Sequence, residues 1–133
     1  MSALWLLTLE IPLAKPLPSL ANSRMHWRAL AELKAQQRHR LALHLRARGA
    51  AFMREWTVMR PNESLRLDVT WTRISPRELD DDNNVAAFKT YRDELAKWVG
   101  INDRSKRYEW RYSQERGAPA IRIRLEVLQR RES

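Results

Sequence analysis

The sequence predicts an α+β fold in which helices pack against a small mixed β-sheet. Residues 65–72 alternate apolar and polar side chains, and residues 4–11 place Thr8 and Glu10 opposite a continuous apolar face, as the half-buried strands of a sheet do. Residues 27–48 and 85–99 instead repeat apolar side chains at the spacing of an amphipathic helix. Two further strand-like segments end the chain, and no repeat or linker divides it. The predicted order of elements is therefore β-α-β-α-β-β in a single domain, residues 1–133.

The first half of the chain contains a strand and a long helix. The inward face of this strand consists of Trp5, Leu7, Leu9 and Ile11. Prolines at positions 12, 16 and 18 end the strand because they cannot donate a backbone hydrogen bond. The helix has a predicted buried stripe of Leu30, Leu33, Gln37, Leu41 and Leu45. Gly49 is expected to close it, and residues 50–64 give no clear pattern.

The second half begins with the strand of residues 65–72, which leads directly into an acidic loop. The helix after that loop is expected to bury Phe88, Tyr91, Leu95 and Trp98. The inward faces of the last two strands consist of Tyr108, Trp110 and Tyr112, then of Ile121, Ile123, Leu125 and Val127. A hairpin through residues 117–119 is predicted to join these two strands.

Composition is compatible with a domain that folds without covalent cross-links. A chain of 133 residues is long enough to bury a hydrophobic core. It contains no cysteine, which excludes thiolate metal sites and is compatible with a reducing compartment. No apolar run has the length of a bilayer span, and residues 1–7 lack the basic start of a signal peptide. We therefore expect a cytoplasmic protein that does not enter a membrane.

The charge balance predicts a polyanionic partner. Lysine and arginine number 25 against 16 aspartates and glutamates, which gives a formal charge of +9. A surplus of this size attracts nucleic acid, and the basic residues of the first helix favour phosphate contacts. His26, His39 and His44 lack the spacing of metal ligands, so we expect them to lie on the surface or near phosphates.

Three consecutive aspartates, Asp80 to Asp82, stand out in this basic chain. Aspartates before a helix often cap it and favour its dipole, and Lys89 with Asp93 is an ordinary surface pair. The alternative is a metal site, because two carboxylates one residue apart suit Mg²⁺ or Mn²⁺. A turn at Gly100 would then return Asp103 to the start of the helix and complete that site.

These residues resemble the RusA family of Holliday junction resolvases, especially its phage and prophage members. The resemblance rests on Asp80-x-Asp82-Asn83, on the helix with Lys89 and Asp93, and on Gly100-Ile101-Asn102-Asp103. Two upstream segments are similar to the amino-terminal region of the family, Pro18-Ser19-x-x-Asn22 and Met25-His26-Trp27-Arg28. The resemblance therefore covers most of the chain.

The resemblance implies a Mg²⁺-dependent endodeoxyribonuclease that acts as a homodimer on four-way DNA junctions in recombination and repair. It implies that Asp80, Asp82 and Asp103 are catalytic and bind the metal. The catalytic lysine of the family lies one turn into the helix, where this chain has Ala86. Lys89 lies one turn later on the same side and is the candidate for that role.

Basic and polar residues near the acids are candidate DNA contacts: Asn22, Arg24, His26, Arg28, Arg73, Arg77, Arg104 and Lys106. Two other functions are compatible with the same features. A non-catalytic DNA-binding protein would use the aspartates as helix caps, and a nuclease could instead be specific for flaps or replication forks. An assay for nicking of a synthetic four-way junction, with and without divalent metal, distinguishes a nuclease from a binding protein, and cleavage rates on junction, flap and linear duplex distinguish the two kinds of nuclease.

Overall fold

Strands with alternating burial pair into one mixed sheet, and helices cover its apolar face. The computed structural model describes residues 3–19 and 26–129. Its elements are β1 (Ala3–Pro12), α1 (Trp27–Arg48), α2 (Ala50–Met59), β2 (Leu65–Ile74), α3 (Asp81–Ala87), α4 (Lys89–Val99), β3 (Tyr108–Glu115) and β4 (Ala120–Gln129). The four strands lie in the order β1-β4-β2-β3, and only the β2–β3 pair is parallel. The predicted α+β class is confirmed.

The predicted hairpin between the last two strands is wrong, because β2 lies between β3 and β4. The connection of residues 116–119 crosses the end of β2 instead of making a tight turn. There the N–H group of Gly117 donates to the carbonyl oxygen of Ser75 at 3.3 Å. A Cβ atom on Gly117 would lie 3.0 Å from the Ile74 side chain, so a glycine suits this crossing.

The element order also differs from the prediction because the described residues form two more helices. Residues 50–59 form α2, which buries Phe52 and Trp56 where the sequence showed no clear pattern. Gly49 ends α1 as predicted, and its N–H group donates to Leu45. A Cβ atom there would lie 2.7 Å from the Trp98 ring, so only glycine fits this corner.

The single helix predicted for residues 85–99 is interrupted at Phe88. The backbone of Phe88 (φ −95°, ψ 0°) separates α3 from α4, and α3 begins earlier than expected, at Asp81. The Phe88 ring is fully buried and lies 5.5 Å from the Trp71 ring and 6.2 Å from the Tyr112 ring. The residue between the two helices is therefore packed against the centre of the sheet.

The predicted inward faces form the core. Leu9 and Ile11 of β1 are buried, whereas Leu4 and Leu6 on the opposite face are exposed. Within the stripe of α1, the central Leu41 is buried and Leu30 is only half-buried. The amino-terminal half of α1 therefore extends beyond the core. No helix in the described part of the chain combines the length and apolar character needed to cross a membrane.

Replacing Trp56 with phenylalanine should destabilise the fold. Trp56 is 0% exposed, and its indole N–H group donates to the carbonyl oxygen of Val99 at 2.8 Å. Loss of this buried donor should lower the free energy of unfolding by about 1–3 kcal/mol. Urea denaturation followed by circular dichroism measures the change. Trp27→Phe is the control, because that side chain is 67% exposed and its replacement should change stability by less than about 0.5 kcal/mol.

Candidate active site

The acidic loop leaves the end of β2 and is held by hydrogen bonds of the Arg73 and Gln114 side chains, which are buried or partly buried. The Arg73 side chain donates to the carbonyl oxygens of Leu17 at 2.8 Å and of Arg77 at 2.7 Å. The Gln114 amide accepts from the N–H group of Leu79 at 2.9 Å and donates to its carbonyl oxygen at 2.8 Å. These bonds fix the backbone immediately before Asp80.

The three aspartates lie at the start of α3, where they are exposed. Asp80 is the N-cap residue, and its side chain makes no capping hydrogen bond. Asp81 and Asp82 lie in the first turn, a favourable position for negative charge at a helix start. A capping role therefore does not explain the presence of an aspartate at position 80, and this residue is exposed to solvent.

Two asparagines hold α3 in place. The Asn84 side chain is buried and donates to the carbonyl oxygen of Ser113 on β3 at 3.2 Å. The side-chain oxygen of Asn83 accepts from the Ser19 hydroxyl at 3.3 Å. The sequence run from Asp80 to Asn84 thus divides into exposed carboxylates and amides that anchor the helix.

Asp103 reaches the same side of the molecule through a turn after α4. Gly100 ends α4 with a left-handed backbone conformation (φ +81°), which favours glycine. The Asn102 side chain then accepts from the N–H group of Arg104 at 2.9 Å and stabilises the turn. The Asp103 carbonyl oxygen accepts from the Trp110 indole at 3.1 Å and from the Arg92 guanidinium at 3.3 Å.

The Arg92 guanidinium organises the surroundings of Asp103. Its Nε atom lies 3.8 Å from an Asp103 carboxylate oxygen, an ion pair that is longer than a hydrogen bond. Another nitrogen of Arg92 donates to the Tyr112 hydroxyl at 3.1 Å, and the guanidinium lies 4.5 Å from the centroid of the Trp110 ring. Arg92 thus joins Asp103 to β3 through its contacts with Tyr112 and Trp110.

A cavity of about 290 Å³ connects Asp103 with the helices. Its lining consists of Val85, Ala86, Lys89, Arg92, Asp93, Asp103 and Tyr112. Ala86 lies one helical turn after Asp82, so these two residues share a side of α3. The candidate lysine, Lys89, therefore lines this cavity. Through Ala86, the cavity also adjoins the side of α3 on which Asp82 lies.

The carboxylate side chains are suitable ligands for a divalent metal, but their arrangement in this structure does not form a metal site. Carboxylates are the preferred ligands of Mg²⁺, which is commonly held by one or two of them together with substrate phosphate and water. Among residues 3–19 and 26–129, no group of three or more His, Cys, Asp or Glu side chains is arranged to hold a metal ion. Asp80, Asp82 and Asp103 therefore do not form a preassembled three-carboxylate site in this structure.

The candidate DNA contacts differ in exposure. Arg77, Arg104 and Lys106 are exposed close to the acidic loop and the Asp103 turn, and His26 and Arg28 are exposed at the start of α1. Arg73 is only 5% exposed and uses its guanidinium on protein carbonyl groups. Its burial lowers its pKa and gives it a structural position rather than a DNA-facing one. Asn22 and Arg24 lie outside the described residues.

Arg92, Gln114 and Trp110 contribute to the site although the sequence did not indicate them. Gln114 and Trp110 belong to β3 and reach the site through side-chain contacts with residues distant in the chain. Arg92 lies next to Asp93 in an ordinary mixed-charge helix segment. The position of Arg92 between Lys89 and Asp93 is the sequence feature that could have indicated it. Comparison with protein-family models gives no match, and comparison with curated proteins gives none either.

Alkaline pH should destabilise the fold through Tyr108. This residue donates its hydroxyl to the carbonyl oxygen of Ile101 at 2.9 Å, and burial raises its pKa, with the nearby Asp103 carboxylate adding to the rise. The unfolded chain loses the same proton near pH 10, so it binds fewer protons than the folded chain above that pH. The free energy of unfolding should therefore be unaffected by this group below about pH 10 and fall above it.

Urea titrations at about pH 8, 10 and 11 measure this dependence. Tyr108→Phe should be less stable at every pH, because it loses a hydrogen bond, but its stability should decline less steeply with pH. An equal decline in the wild type and the variant would contradict the assignment to Tyr108.

Proposed function

We propose that this chain is a cytoplasmic, Mg²⁺-dependent, structure-selective endodeoxyribonuclease that resolves four-way DNA junctions by paired nicking in recombination and repair. The observation that carries the proposal is that exposed aspartates begin α3 and half-buried Asp103 lines an adjoining cavity, all within a basic chain. Asp82 begins a face of α3 that continues through Ala86 into the cavity with Asp103 and Lys89. The resemblance to RusA resolvases rests on the same residues and supports the proposal.

Each residue of this surface has a proposed role. Asp80, Asp82 and Asp103 would hold Mg²⁺, or Mn²⁺ in its place. When bound, the metal lowers the pKa of a water molecule and stabilises negative charge on the scissile phosphate. Lys89 adds a positive charge to the same cavity and orients the attacking water or a phosphate oxygen. Hydrolysis breaks the bond to the 3′-oxygen and leaves a 5′-phosphate.

Charge around the cavity supports DNA as the substrate. Arg77, Arg104 and Lys106 are exposed near the acids and can contact the phosphates on either side of the cut. A four-way junction has paired strands, so symmetrical nicks need two active sites. A homodimer with twofold symmetry supplies them.

Asp82→Asn should abolish nicking without weakening DNA binding. The substitution removes one proposed metal ligand, and it also removes a negative charge near the phosphates, so affinity for the junction should stay equal or rise. Nicking of a labelled synthetic junction is measured in Mg²⁺, and binding is measured in the absence of divalent metal. We expect the nicking rate to fall by about a hundredfold or more.

Asp81→Asn is the matched control for this experiment. Asp81 is a neighbouring exposed aspartate in the same helical turn, and its replacement changes the charge equally. It lies outside the proposed set of ligands, so nicking should persist. Equal loss of nicking in both variants would contradict a specific role of Asp82.

Lys89→Ala should slow nicking, and a second substitution should restore it. Ala86 and Lys89 line the same cavity, and Ala86 occupies the position where the RusA family has its lysine. We expect Lys89→Ala to lower the nicking rate by about a hundredfold through loss of charge at the reacting phosphate. Adding Ala86→Lys should recover much of that rate, as measured on the same junction. If the double variant were as slow as Lys89→Ala, the equivalence of the two positions would be excluded.

A non-catalytic DNA-binding protein is the second candidate. The ion pair between Arg92 and Asp103 and the lack of a three-carboxylate group in the described residues favour it. A wild-type protein that binds the junction but never nicks it in Mg²⁺ or Mn²⁺ would establish this alternative. Relative cleavage rates on junctions, flaps and forks distinguish a junction resolvase from a flap or fork nuclease.

A further inference from the structure

The surplus positive charge of the chain is concentrated on α1. Six basic side chains lie on this helix against one glutamate, so α1 carries +5 of the formal charge of +9. The solvent face of the sheet has no such surplus. Its four arginines, Arg66, Arg111, Arg122 and Arg124, form ion pairs of 2.7 to 3.7 Å with five carboxylates. Those carboxylates belong to Glu10, Asp68, Glu109, Glu115 and Glu126.

Four of the six basic side chains of α1 are exposed, where they can meet an external anion. Arg28, Arg38, Arg46 and Arg48 are exposed. Within residues 3–19 and 26–129, no ion pair involves a basic residue of this helix. Arg40 is the member turned inward, and it donates to the Tyr91 hydroxyl of α4 at 2.9 Å. Unpaired arginines along a helix of 22 residues, about 33 Å long, suit a phosphate backbone.

An exposed indole stands at the amino end of the same helix. Trp27 is 67% exposed, so core packing does not explain it. The Arg28 guanidinium lies 5.1 Å from the centroid of its ring, and the His26 ring lies 5.6 Å away. His26 also accepts from the N–H group of Arg28 and caps the helix, which fixes the position of Trp27 on α1. A tryptophan beside a cation is a strong stacking partner for a nucleic-acid base.

The amino end of α1 lies within reach of the candidate active site. Ser19 contacts Asn83 of α3, the residue after Asp82. Seven residue steps separate Ser19 from His26, so His26 lies no more than about 25 Å from Ser19. That distance is comparable to the width of a DNA duplex. One branched DNA molecule can therefore contact both places.

We infer that Trp27 stacks on an unpaired or end-exposed base at a DNA branch point while the arginines of α1 hold the adjoining phosphates. The identity of DNA as the partner rests on the proposed function. In the interior of a continuous duplex every base pair is stacked on both faces, so the indole has no partner there. At a branch point stacking is interrupted and a base face becomes available. Trp27 thereby gives selectivity for branched DNA, and the α1 arginines give affinity for any DNA.

The experiment measures binding to a fluorescent four-way junction and to a linear duplex of the same sequence, in EDTA so that no cleavage occurs. Trp27→Ala should weaken junction binding by about tenfold or more and duplex binding by less than about twofold. Trp27→Phe should restore most of the preference, because a phenyl ring still stacks. Circular dichroism checks that the variants fold.

A charge-matched pair of variants tests the helix. Arg38→Gln should reduce the slope of log affinity against log salt concentration on the duplex by about 0.9. Arg54→Gln, an exposed arginine on α2, removes the same charge elsewhere and should leave that slope unchanged. Equal slopes for the two variants, or an unchanged junction preference in Trp27→Ala, would overturn the inference.

These outcomes are independent of nuclease activity. If the Trp27→Ala and Arg38→Gln variants bind as predicted but the wild type never nicks DNA, the DNA-binding surface is supported and the proposed nuclease is contradicted. A protein that nicks junctions in Mg²⁺ while both variants bind like the wild type would support the nuclease and exclude this surface.

Discussion

The structure depends on the burial of β2 between β4 and β3. This strand pairs along its length with both neighbours, and its inward side chains, ending with Trp71, are removed from water. The Trp71 ring contacts Phe88, which separates α3 from α4, and the carboxyl end of β2 releases the acidic loop. Because β2 cannot shift by one residue without exposing its apolar face, the start of the acidic loop is fixed as well.

The sequence predicted the parts of the fold that follow from local periodicity. The α1 boundaries and the inward faces of the strands were correct, because each depends on residues close together in the chain. The position of β3 was not predictable in this way. The short connection at Gly117 looks like a hairpin, and only the pairing of β3 with β2 shows that it crosses a strand end. Similarly, the break at Phe88 was not predictable from a regular helical pattern, and it coincides with the packing of the Phe88 ring against Trp71 and Tyr112 of the sheet.

In the candidate site, too, the features that depend on local sequence were predictable and those that depend on distant contacts were not. Lys89 and Asp93 were expected on the surface of the helix, and both are exposed. The supporting contacts could not be predicted, because Gln114 and Trp110 act from a strand whose neighbours were unknown. The distribution of charge was likewise only partly predictable. The sequence already places +5 of the +9 surplus on α1, but only the structure shows that, among the described residues, the arginines of the sheet are paired with carboxylates and those of α1 are not.

The ion pair of Asp103 with Arg92 is too weak to exclude a competing cation. Its two groups are 3.8 Å apart, and their side chains are 27% and 33% exposed. Partly exposed pairs of this length contribute no more than about 1 kcal/mol. Arg92 would also keep its contacts with Tyr112, Trp110 and the Asp103 carbonyl oxygen if the carboxylate turned away. The backbone of Asp103 is therefore held firmly while its carboxylate is held only weakly, which is compatible with the proposed role of this carboxylate as a metal ligand.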